Sequence, residues 1–392
     1  MQNIHTRIEL NKMNIKSKIY GGLLGGAIGD ALGYPVEFLS ETEIFKRYGS
    51  SGITSYDLDF ESGFALISDD TQMSMFTANG ILRGETINRM NDCDYPPFTY
   101  VAEAYADWYC TQTRRKPKRQ VSWLMDIPDL YSRRAPGTTC MSAIGSGKRG
   151  CVEEPLNMSK GCGGIMRVAP LGLFYDTSSE KYDLEWVDRQ GAEIAAITHG
   201  HPLGYIPAAV LTHIISASLY GSYVCLEDAV NEAMAVVSGI FSGNAYLPQL
   251  EQLIEKAIML SKNDEEDVAN IRQLGEGWVA EETLAIAVYC SLRYENDFSK
   301  GVIAAVNHNG DSDSTGAVAG NILGAWLGYD AIEEKWKRNL EFRRMILELA
   351  DDLYEGRNLD QGKLCGTEEK RLLTSWESKY FDAKLSRPGK EE

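Results

Sequence analysis

Two short stretches of the chain concentrate hard oxygen donors: Ser68-Asp69-Asp70-Thr71 and Asp311-Ser312-Asp313-Ser314-Thr315. Each precedes apolar side chains at helical spacing. Met73, Phe76, Ile81 and Leu82 follow the first, and Val318, Ile322, Leu323 and Trp326 follow the second. Ser68 and Asp313 are therefore candidate helix N-caps, with the neighbouring acids favoured by the helix dipole. Capping accounts for one such knot, but two knots with paired aspartates and hydroxyls call for more. If they meet, Asp69, Asp70, Asp311 and Asp313 bring four negative charges together, and two divalent cations would neutralise them. An oxygen-only donor set suits Mg²⁺ or Mn²⁺ better than Zn²⁺, which prefers nitrogen and sulfur.

The elements that must carry these donors read as helices. From Ile15 to about Leu32 a helical pattern shows a face of small residues (Gly22, Gly25, Gly26, Gly29, Gly33), which predicts close approach of another backbone. Pro35 ends it, and Glu37 follows in the turn. A helix is predicted over 98–112, running into the basic segment Arg114–Arg119, which reads as a solvated loop or as a partner or phosphate contact. Glycine-punctuated loops at 135–140 and 161–170 come next. Helical periodicity then covers 184–198, 203–220, 226–241, 247–261, 279–293, 298–306, 314–327 and 339–354, with 203–220 apolar on most sides and hence central. Strand alternation is missing. The expected fold is all-α: one compact single-domain multi-helix orthogonal bundle, its site formed where loops before several helices converge. Residues 1–14 are expected to be a flexible arm, 15–360 the domain and 361–392 a polar tail, partly disordered.

The chain has 392 residues, 44% hydrophobic and 24% charged, a globular balance. A net charge of −17 argues against nucleic acid or an anionic membrane as partner. Eight cysteines lack CxxC spacing, which points to reduced thiols and a cytoplasmic protein. The Gly-rich apolar run at 19–28 is too short to span a membrane. A monomer is expected.

Several stretches together resemble the ADP-ribosylglycohydrolase family, which includes the nitrogenase-reductase-activating glycohydrolase and the ADP-ribosylarginine hydrolases. They are GGAIGDALG at 25–33 with Glu37, SDDT at 68–71, GTTC at 137–140, GCGGIMRVAP at 161–170, THGHP at 198–202, GEGWVAEE at 275–282 and NHNGDSDSTGAVAGNILGA at 307–325. They keep family order from about residue 17 to about residue 330. The resemblance implies an all-helical fold and two Mg²⁺ or Mn²⁺ ions held by Ser68, Asp69, Asp70, Asp311, Asp313 and Ser314, with Thr315 an alternative to Ser314. It implies a catalytic role for Glu37, which by itself would read as a capping carboxylate after a proline turn. Asp313 is the second catalytic candidate. Asp30 is expected to cap or support rather than ligate.

The substrate implied is ADP-ribose on a protein side chain, with free ADP-ribose as product. Cleavage at ribose C1 passes through an oxocarbenium-like state. The ions would hold the ribose hydroxyls and lower the pKa of a water, while Glu37 or a ligand aspartate assists proton transfer. Gly137, Thr138 and Thr139 are expected to meet the diphosphate, Met166 to line the pocket and His199 to sit near the distal part of the ligand. Trp278 would stack on adenine or pack in the core. Cys140 and Cys162 are expected to be packing residues. Serines in both knots favour arginine-linked ADP-ribose. The alternatives are an O-linked substrate (serine or O-acetyl-ADP-ribose) and a non-catalytic ADP-ribose-binding protein. Segments 86–135 and 365–392 are expected to form the rim.

Overall fold

The computed structural model describes residues 2–117, 119–179, 181–358, 376–377 and 379–381, with side chains from Asn14 onward except at 358. The first half contains α1 (Gln2–Gly33), α2 (Glu41–Tyr48), α3 (Asp69–Asn91), α4 (Pro97–Thr113), α5 (Thr138–Gly145), α6 (Ala169–Phe174) and α7 (Leu184–Ala196). The second half contains α8 (Pro202–Tyr220), α9 (Leu226–Ile240), α10 (Leu247–Leu260), α11 (Asp267–Ile271) and α12 (Ala280–Arg293). It closes with α13 (Phe298–Val306), α14 (Ser312–Leu327), α15 (Glu334–Lys337) and α16 (Arg343–Asn358). Among the described residues there is no strand, only the isolated bridges Ala65–Leu340 and Gly161–Val279. The all-α expectation is met.

The small-residue face of α1 lies along α14. A Cβ placed on Gly21, Gly25 or Gly29 would run into the carbonyl of Gly324, Gly320 or Gly316. The partner numbers descend as α1 ascends, so the helices are antiparallel, with backbones closer than any side chain allows. Asn321 bolts the seam by donating from Nδ2 to the Gly22 carbonyl at 2.8 Å. This packing sets the C-terminal end of α1, with Asp30, against the N-terminal end of α14, with Asp311 and Asp313. Helix α8 is long and apolar enough to cross a membrane, but 94% of its apolar window is buried within the protein. It is a core helix. Helix α10 buries Leu250, Ile254 and Ala257 as its pattern predicts.

Four boundaries differ from expectation. Residues 2–14, expected to be a loose arm, continue α1, because no glycine or proline interrupts them. Asp311, not Asp313, is the N-cap of α14, its carboxylate accepting from the Ser314 amide, so Asp313 falls in the first turn. Helix α16 starts at Arg343 instead of 339, because Asn339 and Phe342 take positive φ (56° and 54°). Part of the expected polar tail packs on the body. Trp376 donates from Nε1 to Thr86 Oγ1 at 2.8 Å, and the buried Tyr380 hydroxyl meets Asp352 at 2.5 Å. An aromatic ring with a satisfied polar tip is stable in such a place. The rest of the tail, 359–375 and 382–392, lies outside the described residues. In the basic segment Arg114, Arg115 and Lys116 are exposed, and Arg114 ends α4 in the left-handed region, as a solvated loop requires.

Candidate active site

The starts of α3 and α14 meet at the end of α1. Asp30 accepts the Ser68 amide at 3.0 Å, the Thr71 amide at 3.1 Å and the Thr71 hydroxyl. It thus supplies from another helix the acceptors that the first turn of α3 lacks. Ser68 completes the cap by accepting the Asp70 amide at 3.2 Å. The charge of Asp313 in the second knot acts on Asp69 and Asp70 in the first, so the two knots lie side by side. Asp69 is fixed at both ends: its amide donates to the Arg134 carbonyl at 3.0 Å, and its Oδ2 accepts the Gly137 amide at 3.1 Å.

Glu37 enters from the 3-10 turn at Tyr34–Val36, which Pro35 starts. Carboxylate oxygens of Glu37, Asp311 and Asp313 lie within 4.8 Å of one another, and all three residues are buried. Asp69 and Asp70 add their charges to this cluster. Burial is the main force on every member, and repulsion from neighbouring carboxylates adds to it at Asp30, Glu37, Asp69, Asp70 and Asp311. Together they push Glu37 up to about 10 and Asp30 to about 7, and lift Asp69, Asp70, Asp311 and Asp313 above the usual carboxylate range. Asp70 Oδ2 and Glu37 Oε2 are buried without a hydrogen-bond partner. Orphaned carboxylate oxygens in an all-oxygen cluster are what hard divalent cations complete, and bound cations invert the pKa logic.

The predicted hydroxyls separate. Thr315 is occupied: its Oγ1 contacts the carbonyls of Ala305 (2.7 Å) and Asp311 (2.9 Å) and His308 Nε2 (2.9 Å). The Ser314 amide donates to Asp311 Oδ1 at 3.3 Å and to Asp313 Oδ1 at 2.9 Å. Ser314 is the one bonded to both aspartates, through its amide.

The other expected contacts lie at varied depths. The Gly137 amide is used by Asp69, leaving Thr138, exposed, and Thr139, whose hydroxyl pairs with Ser159 at 3.2 Å, at the start of α5. Met166 is buried and lines a narrow void behind Asp70 with Ser74, Met75 and Ala317. His199 is buried, its Nδ1 2.8 Å from Thr198 Oγ1 and its Nε2 edge against Gly161. Burial, with the nearby Arg167 cation, lowers it to about 3, so it is neutral. Trp278 does not pack in the core. It is 39% exposed and stacks on Phe38. Of the expected rim, 365–375 and 382–392 lie outside the described residues. A separate cleft of about 1160 Å³, lined by Arg134, Leu340 and Arg343 among others, does not include the carboxylate cluster.

Three neighbours of the site were not anticipated. Cys162, expected only to pack, donates its thiol to Asp311 Oδ2 at 2.7 Å. Phe38 shares the rim with Trp278, and only its position after Glu37 hints at this. Arg167 is fully buried, donating to Thr198 Oγ1 at 2.6 Å and lying over the Tyr105 ring at 4.4 Å. An arginine inside Ile165-Met166-Arg167-Val168-Ala169 was the available signal, since such a cation is stable only when buried and satisfied.

The site is a cluster of buried carboxylates at helix starts, with a candidate metal-binding group at Glu37, Asp311 and Asp313. The family model described as ADP-ribosylglycohydrolase matches residues 11–363, and the chain belongs to that family. It is a hydrolase acting on the glycosidic bonds of ADP-ribose. An "uncharacterized protein" of Archaeoglobus fulgidus is 30% identical over 344 residues, covering 87% of this chain and 97% of its own. The ADP-ribosyl-[dinitrogen reductase] glycohydrolase of Rhodospirillum rubrum is 26% identical, covering 88% and 99%. Human ADP-ribosylhydrolase ARH3 is 29% identical over 206 residues, 47% of this chain and 54% of that protein. A solved structure titled "ADP-ribosylglycohydrolase-related protein complex" shares the fold, with a TM-score of 0.61 at 24% identity, covering 88% of this chain and 99% of that one.

Proposed function

We propose that the chain hydrolyses the N-glycosidic bond between ADP-ribose and an arginine side chain of a modified protein. The observation that carries this reading is the gathering of Glu37, Asp311 and Asp313 within 4.8 Å, with the charges of Asp69 and Asp70 beside them and Asp70 Oδ2 and Glu37 Oε2 left without partners. Ser68, Asp69, Asp70, Asp311, Asp313 and Ser314 would hold two Mg²⁺ or Mn²⁺ ions. Such ions, when bound, bind ribose hydroxyls and make water a stronger nucleophile.

The chain's own residues do the rest. Asp30 holds Asp69 and Asp70 in position through the first turn of α3. Glu37 moves the proton: the C1–N bond breaks, water gives its oxygen to C1, and a proton reaches the leaving guanidino nitrogen by way of the Glu37 carboxyl. Asp313, closest to Glu37 in charge coupling, orients this exchange. The amides at the start of α5, at Thr138 and Thr139, suit the diphosphate. Neutral His199 offers a ring nitrogen to the distal part of the ligand, Met166 backs the pocket, and Trp278 presents an aromatic face. The partner is an ADP-ribosylated protein, ADP-ribose is released, and the enzyme acts as a monomer. Seven free thiols among the described residues fit a cytoplasmic setting.

The test is a panel of ADP-ribosylated arginine, ADP-ribosylated serine and O-acetyl-ADP-ribose with Mg²⁺, Mn²⁺ or EDTA. Arginine release abolished by EDTA is expected. Release from serine or O-acetyl but not from arginine would overturn the substrate, and full activity in EDTA would overturn the metal role.

A further inference from the structure

Phe38 and Trp278 are large aromatic side chains left at the surface, 72% and 39% exposed. They stack on each other with ring centroids 5.9 Å apart and planes 22° from parallel. Both are held there by the site. Phe38 follows Glu37 directly, in the turn closed by the Leu39 amide on the Val36 carbonyl at 2.9 Å. Trp278 follows Gly277, whose φ of 81° and close approach to Asp311 and Thr315 suit glycine. The Trp278 carbonyl also receives the Cys162 amide at 3.2 Å. The stacked pair is thus carried by backbone that adjoins the site: Phe38 is the residue after buried Glu37, and Trp278 the residue after Gly277, which packs on Asp311.

Sugar geometry says what would meet it. The C5 diphosphate and the C1 substituent project from opposite sides of a ribose ring. With the diphosphate at the start of α5 and the proton passing by way of Glu37, as proposed above, the C1 substituent would lie at the Glu37 carboxyl. An aromatic face beside carboxylates recognises a planar cation.

We propose that Phe38 and Trp278 form the leaving-group subsite, holding the guanidinium of ADP-ribosylated arginine by stacking while its nitrogen lies at Glu37. This rests on the arginine reading above and adds a specificity element to it. A serine or acetyl leaving group has neither the plane nor the charge to use the pair.

The experiment compares wild type, Phe38→Leu and Phe38→Tyr on an ADP-ribosylated arginine peptide and on O-acetyl-ADP-ribose, with ADP-ribose affinity measured by calorimetry. Phe38→Leu is expected to lower kcat/KM for the arginine peptide roughly tenfold. Phe38→Tyr should restore it, and the Kd for ADP-ribose, which lacks the leaving group, should not move. Weakened ADP-ribose binding in Phe38→Leu, equal loss on both substrates, or no loss on arginine would each overturn the inference. A wild type that spares arginine while cleaving the O-linked substrate would instead remove the reading on which it rests.

Discussion

Asp30, near the end of α1, accepts both the backbone amide of Thr71, at 3.1 Å, and its side-chain hydroxyl. One buried carboxylate on the last turns of α1 thus caps the start of α3 and holds Asp69 and Asp70 in register. Asp30→Ala would leave the Ser68 and Thr71 amides buried without acceptors, at a cost of about 1–3 kcal/mol for each unpaired group. Relief of repulsion from Asp313 offsets part of this. Urea unfolding should show a net loss, and calorimetry should show weaker Mn²⁺ binding, with Asp30→Asn between Ala and wild type.

Asp70→Asn should change stability with opposite signs in two conditions. Without metal it removes one of several mutually repelling buried charges, so the melting temperature rises. With saturating Mn²⁺ it loses ligand-linked stabilisation, which is about 2.7 kcal/mol at one hundred times Kd, so the melting temperature falls below wild type. A melting temperature lowered in both conditions would count against the metal assignment.

His199 sets a pH dependence. Burial and the nearby Arg167 cation hold its folded pKa at about 3, below the ordinary histidine value of 6.5. Between those limits the unfolded chain binds a proton that the folded one does not. The stability contribution is therefore present above pH 6.5 and lost as the pH falls toward 3, by roughly 1.4 kcal/mol per unit within the window. His199→Gln should flatten this part of the curve of unfolding free energy against pH.

Arg167→Met keeps the volume but removes the donor to Thr198 and the charge above Tyr105. A loss of about 1–3 kcal/mol is expected. The same change removes a cation that depresses His199, so the His199 imidazole titration, followed by NMR, should move upward. Lost stability with an unmoved His199 would mean that Arg167 acts by packing alone.

The seam between α1 and α14 predicts a contrast between two glycines. Gly29→Ala drives a methyl into the Gly316 carbonyl and should cost about 1–3 kcal/mol. Gly239 in α9 is exposed with nothing near its missing Cβ, so Gly239→Ala should gain about 0.5–1 kcal/mol. Thermal melts of the two variants decide it.

The all-helical fold was legible because apolar residues recur at helical spacing and the glycines of α1 announce a close neighbour. Which helix fills that role was not legible, since a small-residue face names no partner. The convergence of the knots was implied by the family resemblance, whereas charge and hydroxyl content alone left it open. Asp30 reads only as a cap until its acceptor role toward Ser68 and Thr71 is seen. The occupation of Thr315 depends on the Ala305 carbonyl arriving from α13, a contact between segments that local spacing does not encode. Phe38 and Trp278 are 240 positions apart in sequence, so nothing in either neighbourhood announces the pair.

The antiparallel glycine seam also bears on how this chain can vary. Each added residue turns an α-helix by about 100° and lengthens it by about 1.5 Å. An insertion or deletion in α1 between Gly21 and Asp30 would swing Asp30 away from α3 while the glycines lost their facing carbonyls. Point changes on the outer side of α1 leave that alignment intact. Related chains should therefore tolerate spelling changes there far more readily than changes of length, which belong in the connecting loops.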